Sequence, residues 1–239
     1  MPSARAWSSS KSLSPSLVSD EVQIWCARPA DLDPLAPELF ATLSDDERDR
    51  AGSFRRPQDG EAFALRRGVL RIILGRQLGI APDRIAFRYG PFGKPSLDPD
   101  LDWMGLAFNQ ANTDGLLVYA ITAGRAVGID VERVKPLANV DALASQFLSR
   151  QDASTIASLP PSSRRLTFYQ AWTRQEAALK ASGDGLTQAP LRLASERWRT
   201  ESFELQPDYV GAISASGPDW RVSRREWRPA AVEPARYTS

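Results

Sequence analysis

The chain has 239 residues, a formal net charge of +1 and an apolar fraction of 42%, enough for one large domain or two small ones around an ordinary globular core. The near balance of charge excludes a global field suited to nucleic acid or an acidic membrane. Histidine is absent and Cys26 is the single cysteine, which excludes Ser–His and Cys–His nucleophilic sites, imidazole metal centres and a disulfide within the chain. Chemistry is left to carboxylates, Lys, Arg, Tyr and backbone, and carboxylate oxygens favour Mg²⁺, Ca²⁺ or Mn²⁺ over zinc.

Residues 1–20 are rich in Ser and lack the apolar core of a secretory signal, so they read as a disordered leader. No apolar run approaches the roughly 20 residues of a membrane span. With a lone cysteine this fits a cytoplasmic protein. Glu21 to Arg28 alternates Val22, Ile24 and Cys26 with polar neighbours, a strand pattern. Asp31 to Pro37 reads as a Pro-rich loop. Ser44-Asp-Asp-Glu47 is a capping box that starts a helix running to about Phe54. A second helix is expected from Gln58 to Leu78, with Gly79 as its C′ residue.

Beyond it, Arg84 to Tyr89 reads as a strand and Gly90 to Pro95 as a turn. Strands follow at Leu106–Asn109 and Leu116–Thr122, joined by a loop ending in Asp114-Gly115, and at Ala126–Glu132. Helices are expected at Val140–Phe147, Gln151–Ser158 and Ser163–Ala181, the last after Pro160-Pro161 and ended by Gly183 and Gly185. Three more strands fall near Trp198–Leu205, Tyr209–Ala215 and Trp220–Ser223. The pattern divides into an N-terminal α+β half, 21–124, a C-terminal α+β half, 125–228, and a loose tail, 229–239.

Two segments carry the chemistry. In Val127-Gly-Ile-Asp-Val-Glu-Arg133, Asp130 and Glu132 stand two apart on a strand and share one face. In Trp172-Thr-Arg-Gln-Glu-Ala-Ala-Leu-Lys180, Glu176 and Lys180 stand one helical turn apart. Three carboxylates and an ammonium are what an enzyme needs to hold Mg²⁺ against a phosphate. Each piece alone has an ordinary explanation. Glu176 and Lys180 form the preferred surface i,i+4 pair, Asp130 and Glu132 suit a solvated strand face, and Trp172 suits a core.

Six segments in order resemble the Sfp-type 4′-phosphopantetheinyl transferases: Leu43–Phe54, Arg67-Gly-Val-Leu-Arg71, Gly90-Pro-Phe-Gly-Lys-Pro95, Phe108-Asn109, Val127–Glu132 and Trp172–Lys180. They span about residues 40–190. The resemblance implies an α+β, pseudo-twofold monomer of two similar halves with the site in the cleft between them. It implies transfer of phosphopantetheine from coenzyme A to a serine of an acyl or peptidyl carrier protein, with Mg²⁺ or Mn²⁺ as cofactor. Asp130, Glu132 and Glu176 would hold the metal, Glu176 would deprotonate the serine, and Lys180 would stabilise phosphate charge. Lys94, with Gly93 and Pro95, would contact coenzyme A, and Arg67, Ala111 and Asn112 fall in the same binding set.

The chain departs from the family pattern at the nucleotide end. Asn112 stands at the usual histidine and Ala111 at the preceding hydroxyl. Gln175 replaces a lysine, and Ala62 replaces an arginine that holds the 3′-phosphate. Each lost charged hydrogen bond is worth roughly 1.5–3 kcal/mol. Arg55, Arg56 and Arg66 are the candidates to compensate. The departures motivate an alternative: a diverged relative that acts by carboxylate acid/base chemistry, such as cyclisation or dehydration, on an intermediate already tethered to a carrier's pantetheine arm. A carrier-binding pseudoenzyme is the non-catalytic counterpart.

Overall fold

A computed structural model of the chain describes Leu17, residues 20–183 and residues 198–228. Most of the leader and all of the tail expected from the sequence lie outside the described residues; Leu17 is buried in the first core.

The chain folds as α+β with the same plan used twice. The first half comprises β1 (Glu21–Ala27), the short helices α1 (Pro29–Leu32) and α2 (Ala36–Ala41), α3 (Asp45–Gly52), the long α4 (Pro57–Leu78), a small hairpin of β2 (Phe87–Tyr89) and β3 (Pro95–Leu97), then β4 (Leu106–Thr113) and β5 (Leu116–Ala123). The second half comprises β6 (Val127–Arg133), α5 (Val140–Phe147), α6 (Arg150–Ser158), the long α7 (Pro161–Ser182), β7 (Trp198–Glu204) and β8 (Tyr209–Ser216). The strand orders β4-β5-β1 and β7-β8-β6 match, each placing the last strand of its half between the other two. Both long helices have 22 residues, start on a proline and end at a glycine in the left-handed region, Gly79 and Gly183. A proline at the first position gives up an amide that has no helical partner, and glycine reverses the chain there without a Cβ penalty. The final strand, β9 (Arg221–Glu226), returns to the first sheet and pairs parallel with β1.

Several elements differ from the sequence reading for local reasons. The Pro-rich loop at 31–37 is helical, because its prolines stand at first-turn positions that tolerate them. β4 runs four residues beyond Asn109, since its partner β5 is long enough to pair it as far as Thr113. The strand expected at Arg84–Tyr89 begins only at Phe87, after a single turn of 3₁₀ helix at Pro82–Arg84. The capping box is present as read: Ser44 caps α3 and its amide donates to the Glu47 carboxylate at 3.2 Å.

Two buried arrangements position the site. Glu47 and Arg71, each 1% exposed, form an ion pair of 2.6 Å that joins α3 to α4. Arg71 also donates to the carbonyls of Pro82 and Ile85 and to the Ser44 hydroxyl. The two sheets meet along β4 and β6. The Ile129 amide donates to the Asn109 side-chain oxygen at 2.9 Å, and the Arg133 amide donates to the Thr113 hydroxyl at 3.2 Å. Two side chains on one face of β4 thus replace a backbone ladder between the halves. Around them pack Ala111, Val118, Ile129 and Val131. No helix among the described residues is long and apolar enough to cross a membrane.

On its other face β6 lies directly against α7. A Cβ built on Gly128 would sit 2.1 Å from the Ala177 carbonyl oxygen and 2.2 Å from the Ala181 amide nitrogen. Gly128→Ala is therefore expected to force β6 and α7 apart, costing about 3 kcal/mol or more. Urea unfolding monitored by tryptophan fluorescence checks this; a midpoint equal to that of the wild type would refute the contact.

Candidate active site

The alternation of β6 turns Val127, Ile129 and Val131 into the core between the sheets and leaves Gly128, Asp130 and Glu132 on the face toward α7. Asp130 is buried, and the Lys180 ammonium donates to its Oδ1 at 2.6 Å. Its other oxygen, Oδ2, is buried with no hydrogen-bond donor. Glu176, one turn before Lys180, likewise holds its Oε1 buried without a donor. Glu132 accepts a long bond of 3.4 Å from the Thr113 hydroxyl.

Burial pushes all three carboxyl groups above their ordinary range. For Asp130 the loss of hydration outweighs the opposing pull of Lys180. Glu132 is raised by burial and then by the Asp130 charge. Glu176 is raised by burial and by Asp130, with Lys180 opposing. The mutual influence places the acids in one electrostatic cluster. Among the described residues no three carboxylates close around a point as a finished metal cage; Lys180 already occupies one oxygen of Asp130. The donor set still fits a hard divalent cation, because two buried anionic oxygens are left without a donor.

Beside the cluster lies a cavity of about 270 Å³, lined by Gly93, Lys94, Pro95, Gln110, Glu176 and Lys180 among others. The hairpin turn of β2 and β3, with Gly93 and Pro95, thus meets α7 beside the acids. Lys94 differs from expectation. Its ammonium donates to three backbone carbonyls, those of Val127 at 3.2 Å, Lys180 at 2.5 Å and Ala181 at 3.3 Å. Burial lowers it to about 8.

Other residues singled out in the sequence are placed as follows. Arg67 is not placed to bind a cofactor. It is 3% exposed, 3.3 Å from Glu47 Oε1 and stacked over Phe87 at 4.6 Å, because the i,i+4 spacing that turns Arg71 inward turns Arg67 inward as well. Ala111 points into the core between the sheets, and Asn112 is exposed on the opposite face of β4; neither lines the cavity. Gln175, which stands in place of a lysine, donates to the Phe147 carbonyl at the end of α5 at 2.8 Å. Trp172 packs between Phe147 and Phe168 in the third core, as expected of it.

The sequence names Asn109 only as part of a motif and gives no role to it or to Thr113, the residues that join the halves, nor to Gln110, whose Oε1 is buried without a donor at the cavity. For Asn109 and Thr113 the signal is the period-2 placement of Asn109, Ala111 and Thr113 on a single strand face.

The second half matches a known family: the sequence profile of the 4′-phosphopantetheinyl transferase superfamily covers residues 126–232. The chain is 34% identical over 219 residues to the 4′-phosphopantetheinyl transferase HetI of Nostoc sp., covering 86% of this chain and 92% of that protein. It is 24% identical over 208 residues to the 4′-phosphopantetheinyl transferase ffp of Bacillus subtilis, covering 78% and 90%. A third relative, the 4′-phosphopantetheinyl transferase gsp of Aneurinibacillus migulanus, is 32% identical over 119 residues, about half of each chain (49% and 46%).

The raised Glu176 carboxyl yields a prediction with a definite sign. A group whose folded pKa exceeds its unfolded value stabilises the fold while protonated and loses that contribution as pH rises through the folded pKa. At pH 7 wild-type Glu176 therefore carries an ionisation penalty that Glu176→Gln does not. The variant is expected to melt higher than wild type at pH 7, with the gain vanishing near pH 4. Paired thermal melts across that range check it; a lower Tm at pH 7 would contradict it.

Proposed function

Because the chain belongs to the 4′-phosphopantetheinyl transferase superfamily and is a transferase by class, we propose that it moves 4′-phosphopantetheine from coenzyme A to a serine hydroxyl of an acyl or peptidyl carrier protein. The observation that carries this reading is the cluster of Asp130 and Glu176, each with a buried oxygen lacking a donor, beside the Lys180 ammonium.

Asp130, Glu132 and Glu176 would hold Mg²⁺, with Mn²⁺ as a substitute. The ion supplies charge neutralisation to the pyrophosphate and orients the transferring phosphoryl group. The chain's own groups do the rest. Burial raises Glu176 above the ordinary carboxylate range, which makes it a stronger base than a solvated carboxylate. It takes the serine proton as the serine oxygen bonds to the β-phosphorus of coenzyme A. The bond to the bridging oxygen breaks, and 3′,5′-ADP leaves with the electron pair. Lys180 balances Asp130 before substrate arrives and, lining the cavity, would share its charge with a phosphate bound there. The cavity between the hairpin turn and α7 offers room beside these groups for part of the coenzyme. Each half contributes to the one cleft, so the reading includes a monomer that works in the cytoplasm.

Intact-mass spectrometry of an apo carrier protein incubated with this chain, coenzyme A and Mg²⁺ tests the proposal, with an active transferase as control. The expected result is a phosphopantetheine mass shift that Glu176→Gln slows by about 10²–10⁴-fold. No shift, with the control active, would reject it in favour of chemistry on a carrier-tethered intermediate or of carrier binding alone. A separate arm measures melting with and without Mg²⁺ at pH 7. Wild type is expected to gain Tm and Asp130→Asn to gain less; equal gains would remove Asp130 from the metal set.

A further inference from the structure

The clearest mismatch between residue type and surroundings is Lys94. A lysine ammonium has three N–H donors and no acceptor, and here three backbone carbonyls lie within reach of it. Two of these, Lys180 O and Ala181 O, belong to the last turn of α7, where carbonyls have no partner within the helix. The preceding carbonyl, Leu179 O, is satisfied locally by the Gly183 amide and the Ser182 hydroxyl, both at 3.1 Å. Among the described residues the Gly183 cap serves Leu179 O, while a side chain from the β2–β3 turn serves both Lys180 O and Ala181 O. The third carbonyl, Val127 O, is on the first residue of β6, three before Asp130. The aliphatic stem of Lys94 runs beside the cap: a Cβ on Gly183 would lie 3.8 Å from Lys94 Cδ.

We propose that Lys94 is a positioning residue that acts through α7 and β6, clamping the end of the helix to the start of the strand so that Lys180 and Glu176 are held opposite Asp130. This rests on the reading of that cluster as the active centre. The clamp grips the backbone of the residue whose side chain makes the 2.6 Å pair with Asp130. With its donors committed to carbonyls, Lys94 has none left to spend on a coenzyme phosphate. A cation at a helix C-terminus also complements the partial negative charge there. The adjoining approach at Gly128 leaves no side chain to brace the two backbones, so the brace comes from a third element. Sub-ångström placement of catalytic groups depends on such supporting contacts.

Lys94→Met keeps the length of the stem and removes the donors. The expected result is faster amide hydrogen exchange in the last turn of α7 and at the start of β6. In the transfer assay, kcat falls at least tenfold while KM for coenzyme A stays within about threefold, since the loss is one of geometry and not of binding. Lys94→Arg, which retains donors and charge, is expected to recover part of both the protection and kcat. A tenfold rise in KM with kcat and exchange unchanged would overturn the clamp and make Lys94 a direct phosphate contact. If Lys94→Met does not fold, Lys94→Gln, which keeps an amide donor on a shorter stem, takes its place with intermediate protection and kcat expected. If the wild-type chain shows no transfer at all, the proposed function falls, and unaltered exchange in the variant would then overturn the clamp independently.

Discussion

The close approach of β6 and α7 sets the geometry of everything around the candidate centre. Two backbones can come this near only where side chains are absent or small, and Gly128 on the strand meets Ala177 and Ala181 on the helix, both buried. The helix-on-sheet core of the other half instead holds large side chains, Leu70 and Ile73 of α4 with Tyr119 and Ile121 of β5. The twofold plan is thus retained in topology and abandoned in spacing. The tight side brings Asp130 against Lys180 and strips water from Asp130, Glu132 and Glu176. A looser contact would leave the same acids solvated and close to their ordinary acidity.

The fold uses buried charge in two opposite ways. Glu47 is paired with Arg71, which spends its remaining donors on two carbonyls and a hydroxyl, while Arg67 lies against the same carboxylate and stacks on Phe87. Removing one partner of such a pair costs about 3–5 kcal/mol, because the other is left buried and uncompensated. This cluster has the character of a structural weld. Asp130 and Glu176 differ: Glu47 Oε1 also lacks a hydrogen-bond donor but has the Arg67 guanidinium 3.3 Å away, whereas Asp130 has Lys180 on its other oxygen, so Oδ2 is left bare, as is Glu176 Oε1. Leaving buried acceptors unsatisfied sacrifices stability, and the loss is explicable where a cation or substrate is to complete the set. The two clusters also explain why the family resemblance extends beyond the candidate centre. The segments Leu43–Phe54 and Arg67–Arg71 hold α3 to α4, whereas Val127–Glu132 and Trp172–Lys180 present the acids.

Joining the halves falls to polar side chains. Asn109 and Thr113 accept amide hydrogens from β6 at two points along the seam, and apolar residues on the same face fill the space between. A sequence reading sees Asn109 as part of a motif but cannot see which amide it serves. Gln110 is harder still: its position on β4 is apparent, yet only the meeting of the hairpin turn with α7 makes it a cavity residue. Ala111 and Asn112 show the complement, since adjacent strand residues face opposite ways and the pair straddles the core and the surface.

What the sequence determined by itself was whatever depends on neighbours within a few residues. The Ser44 capping box, the glycine stops at Gly79 and Gly183, the shared face of Asp130 and Glu132, and the one-turn spacing of Glu176 and Lys180 follow from helix and strand periodicity and from the backbone needs of caps. The absence of histidine confined the chemistry to oxygen and amine groups before any fold was known. The tertiary structure alone decided which long-range partner each charged group meets. Arg67 turns to Glu47, Lys94 to the end of α7, Gln175 to the end of α5, and β9 to the edge of the first sheet. These outcomes depend on segments tens of residues apart arriving in contact, where desolvation and the demand of unpaired carbonyls for donors select the partner. No local pattern encodes that competition.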